Sequence, residues 1–332
     1  MLTKSPDEGA LRDNFMNLDY IEISKSLGKD KLCNDYLQLD AKYNGAERYS
    51  FNGCNKIEVW HKEASNQVIL KGSIPYFING HNFYSSHKDW IEGLEYIQGC
   101  LQINIFAGLV NCFEYGTIQE IPFPESDFLR NHIKAKGMQV REYKKGSILT
   151  GKEFYSPSLK VKLYDVQRNI KNKLDKPIRE DLSKAYAWDK EKHYIKLENH
   201  YKKPEAHFRG NIYLNELLSS GFQQGLKTGL LSSYNSIMKT GNSIIPSHKG
   251  DINASTIPLM ILKELEAIHN FNTEELIRSK LKAIPEDVFS PADRKARLRT
   301  IRDNLKKISL QGESPYDIKE LLQARIEAST IP

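Results

Sequence analysis

The hydrophobic period of this chain changes once, near Phe208, and that change constrains its fold more than any other feature. Before it, apolar residues recur mostly at every second position; after it, they recur at i, i+3 and i+4. A period of two belongs to a strand, and a period near 3.6 to a helix. Residues 19–24 (DYIEIS), 55–61 (NKIEVWH), 67–71 (QVILK), 101–106 and 109–121 read as strands. Residues 89–100 read as a helix with Trp90, Leu94 and Ile97 on one face. A polar, basic connector is expected over 127–156. Two further strands, 158–164 and 193–201, flank a helical segment. Beyond Phe208, helices are expected over 211–219, 255–270, from Thr273 to before Pro285, from Ser290-Pro291 to about Ile308, and from Ser314-Pro315 onward. Residues 241–254, rich in Gly, Ser and Asn, read as a loop. The expected class is α+β: an antiparallel sheet flanked by helices over 1–210, then a helical, basic C-terminal region over 211–332.

Several classes are excluded by what the chain lacks. Its apolar runs fall short of the roughly 18 residues that span a bilayer, and its first residues carry no signal-peptide pattern. A cytoplasmic protein with no membrane partner is expected. Cys33, Cys54, Cys100 and Cys112 form no CxxC or Cys/His knuckle, so reduced, structural thiols are expected. There is no phosphate loop, no GxSxG and no dinucleotide fingerprint.

Charge is unevenly placed. The net charge is +6, and residues 159–209 alone hold fourteen Lys or Arg against eight Asp or Glu. A second basic run comprises Arg294, Lys295, Arg297, Arg299, Arg302, Lys306 and Lys307. One such run suits a solvated face; two suit phosphate binding, whose affinity comes largely from counterion release.

Three segments carry candidate chemistry. In SLKVKLYD, alternation sets Lys160, Lys162 and Tyr164 on one strand face, with Arg168 and Lys171 following on the same side of a helix. A phenol with a pKa near 10 needs nearby cations or a metal to become a nucleophile. The same pattern also suits an edge-strand tyrosine among solvated lysines. In HYIKLENHYKK, alternation sets Tyr194, Lys196, Glu198, His200 and Lys202 together, and Glu198 with His200 suits a divalent metal. In LVNCFEYGTIQEI, Glu114 falls on the apolar side with Val110, Cys112 and Ile118, where a buried carboxylate needs a cation. A bulge at Gly116 would instead turn it outward.

The stretch VILKGSIPYFINGHNFYSS, residues 68–86, has Gly72-Ser73, then Phe77, then Gly80-His81-Asn82-Phe83. This order resembles the gene II/X replication initiators of filamentous phages and related plasmids. Residues 158–173 and 193–203 resemble, in order, that family's Lys/Tyr-rich strand and its acid-bearing strand, although Gln167 and Arg168 stand where a Lys and then an acid are often found. The resemblance covers about residues 16–210. It implies a rolling-circle initiator that nicks and rejoins origin DNA through a phosphotyrosine, using magnesium or manganese. Tyr164 would be the nucleophile, with Lys160 and Lys162 beside it. Glu114, Glu198 and His200 would hold the metal. His81, Asn82, Arg168, Lys171, Arg297, Arg299 and Arg302 would contact single-stranded or duplex DNA. His81 could equally cap its loop, and the His-hydrophobic-His metal pair of the wider class does not occur here. Host helicase and polymerase would be partners, since the chain has no ATPase motif. A non-catalytic repressor or partition protein is the alternative. A tyrosine recombinase would need its tyrosine among helical Arg and His residues.

Overall fold

A ten-stranded antiparallel sheet organises most of the chain. The computed structural model describes residues 18–328 apart from 52–53, 84, 175, 186–188, 190, 240–242, 247–248, 270, 312–313 and 315. Contacts divide it into two compact units. Of the described residues, one comprises those up to Leu129, Gly137–Ser236 and those from Ile318; the other comprises Arg130–Lys136 and Ile237–Asp317.

In chain order, the sheet unit begins with β1 (Leu18–Ser26), β2 (Leu37–Tyr43), β3 (Ala46–Phe51), β4 (Cys54–Lys62) and β5 (Gln67–Ser73). Helices α1 (Ile74–Asn79) and α2 (His87–Leu101) follow, then β6 (Leu109–Ile121) and α3 (Glu125–Asn131). The short strand β7 (His132–Ala135) belongs to the second unit. The chain returns through β8 (Gln139–Lys145), β9 (Ile148–Tyr155), β10 (Leu159–Asp165), α4 (Val166–Lys173), α5 (Lys176–Ala185), β11 (His193–Tyr201), α6 (Leu214–Leu217) and α7 (Ser220–Asn235). The strand order is β2-β3-β4-β5-β1-β6-β11-β10-β9-β8. Two meanders, β2 to β5 and β8 to β10, therefore flank a central trio of β1, β6 and β11. Each of the trio is buried between neighbours, so an ionisable residue there must find partners within the protein.

Local chemistry sets the helices. Ser86 caps α2 in a reciprocal capping box with Asp89. Trp90, Leu94, Ile97 and Leu101 then recur on one buried stripe. Asp165 ends β10 and caps α4, accepting from the Arg168 amide at 2.9 Å. Val166 and Ile170 of α4 and Leu174, which caps it, join Leu182 of α5 in a core with Phe83, Ile118 and Tyr194. On the sheet's other face, α7 packs on β11 and β6, and α11 (Lys319–Ala328) packs on α7 and β6.

The second unit holds β12 (Ile237–Lys239), β13 (Ser243–Pro246), α8 (Thr256–His269), α9 (Thr273–Ala283), α10 (Pro291–Lys306) and β14 (Ile308–Gln311). β12 pairs with β7, and β13 with β14. Its core gathers Leu259 and Ile308 with Met238, Met260, Ile277, Ile301 and Leu305.

The α+β class and most expected elements are observed. Several expectations are corrected. Residues 101–106 are not a strand: Leu101 ends α2, and Ile105–Ala107 is a single 3-10 turn. The connector over 127–156 contains α3, β7, β8 and β9. The helix at 211–219 shrinks to α6, and the longer α7 follows it. The loop at 241–254 includes β13, and the final helix starts at Lys319; Pro315 and residues 1–17 lie outside the described residues. The unit boundary falls near Ser236, where packing changes, whereas the sequence division at 210 follows the change of period. No helix among the described residues is long and apolar enough to cross a membrane. All four cysteines are free.

Candidate metal centre

The central trio brings three carboxylates together. Asp19 of β1, Glu114 of β6 and Glu198 of β11 have ligand oxygens within 4.8 Å of one another. Register explains two of them: His200 stands opposite Glu114, and Glu198 stands opposite Gly116. The β6–β11 ladder runs through Gly116 without a break, so no bulge turns Glu114 outward. Across the other side of β11, Lys160, Lys162 and Tyr164 of β10 pair with His200, Glu198 and Lys196. Register therefore brings the face of β10, the face of β11 and Glu114 of β6 side by side.

Asp19 arrives differently. β1 and β6 shift register between Leu18 and Ile21. At this irregularity Asp19 is buried. Ser73 Oγ donates to its Oδ1 at 2.8 Å, and Asn82 Nδ2 donates to its Oδ2. The Gly-Ser and Gly-His-Asn elements thus both serve Asp19. Gly72 has φ +151°, and a Cβ there would lie 2.1 Å from the Lys56 carbonyl oxygen, so only glycine lets β5 pass β4. Ser73 caps α1 as well as binding Asp19. Gly80 ends α1, Phe83 enters the core, and Phe77 packs edge-on against Phe51.

Two lysines offset part of the charge of the three carboxylates. Lys196 Nζ lies 2.8 Å from Asp19 Oδ2 and 2.6 Å from Glu198 Oε1. Lys162 Nζ contacts Glu114 Oε1 and lies 3.9 Å from Glu198 Oε2. His200 Nδ1 is 2.5 Å from Glu114 Oε1, and its ring stacks on Tyr20 at 6.3 Å. Lys160 instead reaches Glu153 of β9 at 3.4 Å, so acids and bases alternate across this face.

Burial governs the proton affinities. It would raise the Glu114 carboxyl, but the His200 hydrogen bond and the Lys162 charge outweigh it and hold the group at about 2. Burial raises the Glu198 carboxyl, and Glu114 adds to this against the opposing pull of Lys196. Burial would lower Lys196, but Asp19 and Glu198 hold it well above the usual lysine value. Burial, with the Glu198 charge, pushes the Tyr164 phenol well above its ordinary value. His81 is buried and pushed down to about 4 by that burial.

The donor set fits a hard divalent cation. All three groups are oxygen ligands from separate rigid strands. Glu198 Oε1 is buried and, despite its contact with Lys196, takes part in no hydrogen bond of acceptable geometry. A small cleft beside the trio is lined by Asp19, Asn82, Ser85, Gly116, Thr117 and Lys196. The site can therefore hold a metal ion. His200 orients Glu114 from outside this set.

The other candidates fall elsewhere. Arg168 pairs with Asp165 at 3.6 Å, and Lys171 is exposed on α4. Arg297, Arg299 and Arg302 lie on α10 in the second unit. Alternation alone does not mark Asp19 or Gly116 as parts of the site. The one sequence signal for Asp19 is that Ser73 and Asn82, side-chain donors in the 68–86 motif, need an acceptor. Comparison of the chain with known protein families, with curated proteins and with solved structures gives no match.

Proposed function

We propose that this sheet face nicks and rejoins DNA in a metal-dependent reaction that starts rolling-circle replication. The observation that carries the reading is the placement of Asp19, Glu114 and Glu198 on the three central strands, one strand away from Tyr164. The resemblance of residues 68–86 to the gene II/X initiators supports the same reaction class. A magnesium or manganese ion held by the three carboxylates would supply Lewis-acid polarisation of the scissile phosphate. Tyr164 Oη would attack the phosphorus, a Tyr–O–P bond would form, and the 3′ oxygen would leave. Glu198 lies on the neighbouring strand and on the same face as Tyr164, and would accept the phenolic proton. Lys162 and Lys196 would offset phosphate charge on the same face. The freed 3′-hydroxyl would prime a host polymerase, with unwinding by a host helicase.

Supercoiled plasmid carrying the protein's own gene region, incubated with magnesium, manganese or chelator, tests this directly. Open circles are expected with either metal and not with chelator. Glu198→Gln should abolish them. Nicking that persists in chelator removes the metal. No nicking under any of these conditions leaves a structural charge network with Lys162 and Lys196, and a non-catalytic DNA-binding protein.

A further inference from the structure

We infer that α9 and α10 of the second unit form a duplex-DNA docking surface built on one stripe of α10. Only the nucleic-acid part of the function proposed above is needed for it. α10 buries none of its residues. It rests on the unit through Ile301 and Leu305, both in the small core. On a helix turning about 100° per residue, Lys295, Arg299, Arg302 and Lys306 fall within an arc of about 60°. All four are exposed. They span about 16 Å of helix at intervals of about 5–6 Å.

The other cations of the run are placed differently. Arg294 is half-buried and donates to the Ile284 carbonyl at 2.6 Å, tying down the α9–α10 connection. Arg297 is exposed but lies about 200° round the helix from Lys295. Arg302 is held by Glu274 of α9, with Nε and Nη2 at 2.8 and 2.6 Å from one oxygen. Arg278 Nη2 of α9 reaches that same oxygen at 2.9 Å. Glu274 therefore sets two guanidiniums from two helices side by side at the edge of the stripe. Its single charge leaves one of the two positive charges uncompensated.

A line of regularly spaced cations on a projecting helix complements a regular line of anions. Duplex DNA carries one phosphate charge per about 1.7 Å of axis, and its major groove, about 12 Å wide, admits a helix. An acidic helix matches this spacing but carries about one charge per turn, far below the phosphate density of a duplex, so the commitment is to duplex nucleic acid.

The test uses the full chain and a labelled duplex of about 30 base pairs that carries the gene region, with anisotropy read across a salt series. Lys295→Gln with Arg299→Gln should weaken binding by about tenfold or more at 0.15 M salt. The slope of log affinity against log salt should flatten by about two, one for each phosphate no longer neutralised. Arg297→Gln should change the slope by less than half as much per residue. Equal effects from both variants would overturn the stripe. So would a failure of the wild-type chain to bind duplex, or affinity for polyglutamate equal to that for duplex. Cleavage of a short single-stranded oligonucleotide separates the two readings. If the double variant cleaves it like wild type, loss of duplex affinity belongs to α10. If wild type never cleaves but the stripe effect stands, only the catalytic reading fails.

Discussion

Gly116 of β6 stands directly across the ladder from Glu198 of β11, and no side chain can be added between them. A Cβ at 116 would lie 2.4 Å from the Leu197 carbonyl oxygen and 2.6 Å from Glu198 Cγ. The carbonyl belongs to the ladder and cannot move alone, so the strands must part or the Glu198 side chain must swing away. Gly116→Ala is therefore expected to destabilise the protein by about 1–3 kcal/mol, as overpacking does. Manganese affinity should fall at least tenfold. Denaturant melts and metal titration check both. Unchanged values would mean that Glu198 does not occupy this site.

Ser73 and Asn82 both donate to Asp19, which makes them positioning residues for that carboxylate. Outer partners of metal ligands are commonly worth 10- to 100-fold in affinity. Asn82→Ala should lower manganese affinity within that range and leave duplex binding unchanged. Asp19→Asn should lose metal binding altogether, because a charged ligand becomes neutral. If Asn82→Ala instead weakens DNA binding at constant metal affinity, the amide reads DNA and its bond to Asp19 is incidental.

How far the site is legible in the sequence depends on regular alternation. Alternation sets Lys162 with Tyr164 on one face of β10 and Glu198 with His200 on one face of β11, and Glu114 on the apolar side of β6; only the pairing register brings these faces together. Asp19 escapes alternation, because the register shift in β1 breaks the pattern where the carboxylate turns inward. Lys196 is legible as a face residue, but its near-complete burial depends on two acids distant in sequence. β2 and β8 lie at the two edges of the sheet and bury no side chain, so they offer no apolar period to read. α7 is obscured by its Gly and Ser content. Gly229 lies close to Tyr201, whose hydroxyl a Cβ there would approach to 3.0 Å.

His81 gives the fold an acid sensitivity. Its imidazole is held at about 4 in the folded protein, against about 6.5 when unfolded. Between those values the unfolded chain binds a proton that the folded chain excludes. Stability therefore rises with pH across this window, and the contribution is lost as pH falls from 6.5 to 4. The full effect is on the order of 3 kcal/mol. Unfolding free energies measured from pH 4 to 7 should show the slope, and His81→Gln should flatten it. An equally steep slope in the variant would assign it to other groups. Glu114 acts lower: its carboxyl is held at about 2, so its stabilisation is present above about 4.5 and lost between there and 2.

Tyr164 carries the sharpest prediction. Its ring sits opposite Lys196 on the face that gathers the three carboxylates. Tyr164→Phe keeps the ring and deletes the nucleophilic oxygen. The variant should fold with stability within about 1 kcal/mol of wild type, since one hydroxyl is removed. Duplex affinity should be unchanged. Nicking should fall by at least ~1,000-fold, about 4 kcal/mol of barrier. A covalent adduct trapped on single-stranded DNA and mapped by peptide digestion should sit on residue 164. The other tyrosines nearby make distinguishable alternatives. Tyr155 pairs with Lys160 across β9 and β10, and Tyr194 lies in the core beside Ile118. An adduct on either would keep the reaction and move the nucleophile along the same face. Tyr201 pairs with Phe113, stacks on its ring at 4.9 Å, and accepts from Asn199 on the opposite face of the sheet. An adduct there would separate the chemistry from the carboxylates, and so would full activity in the Tyr164→Phe variant combined with loss of activity in Tyr201→Phe.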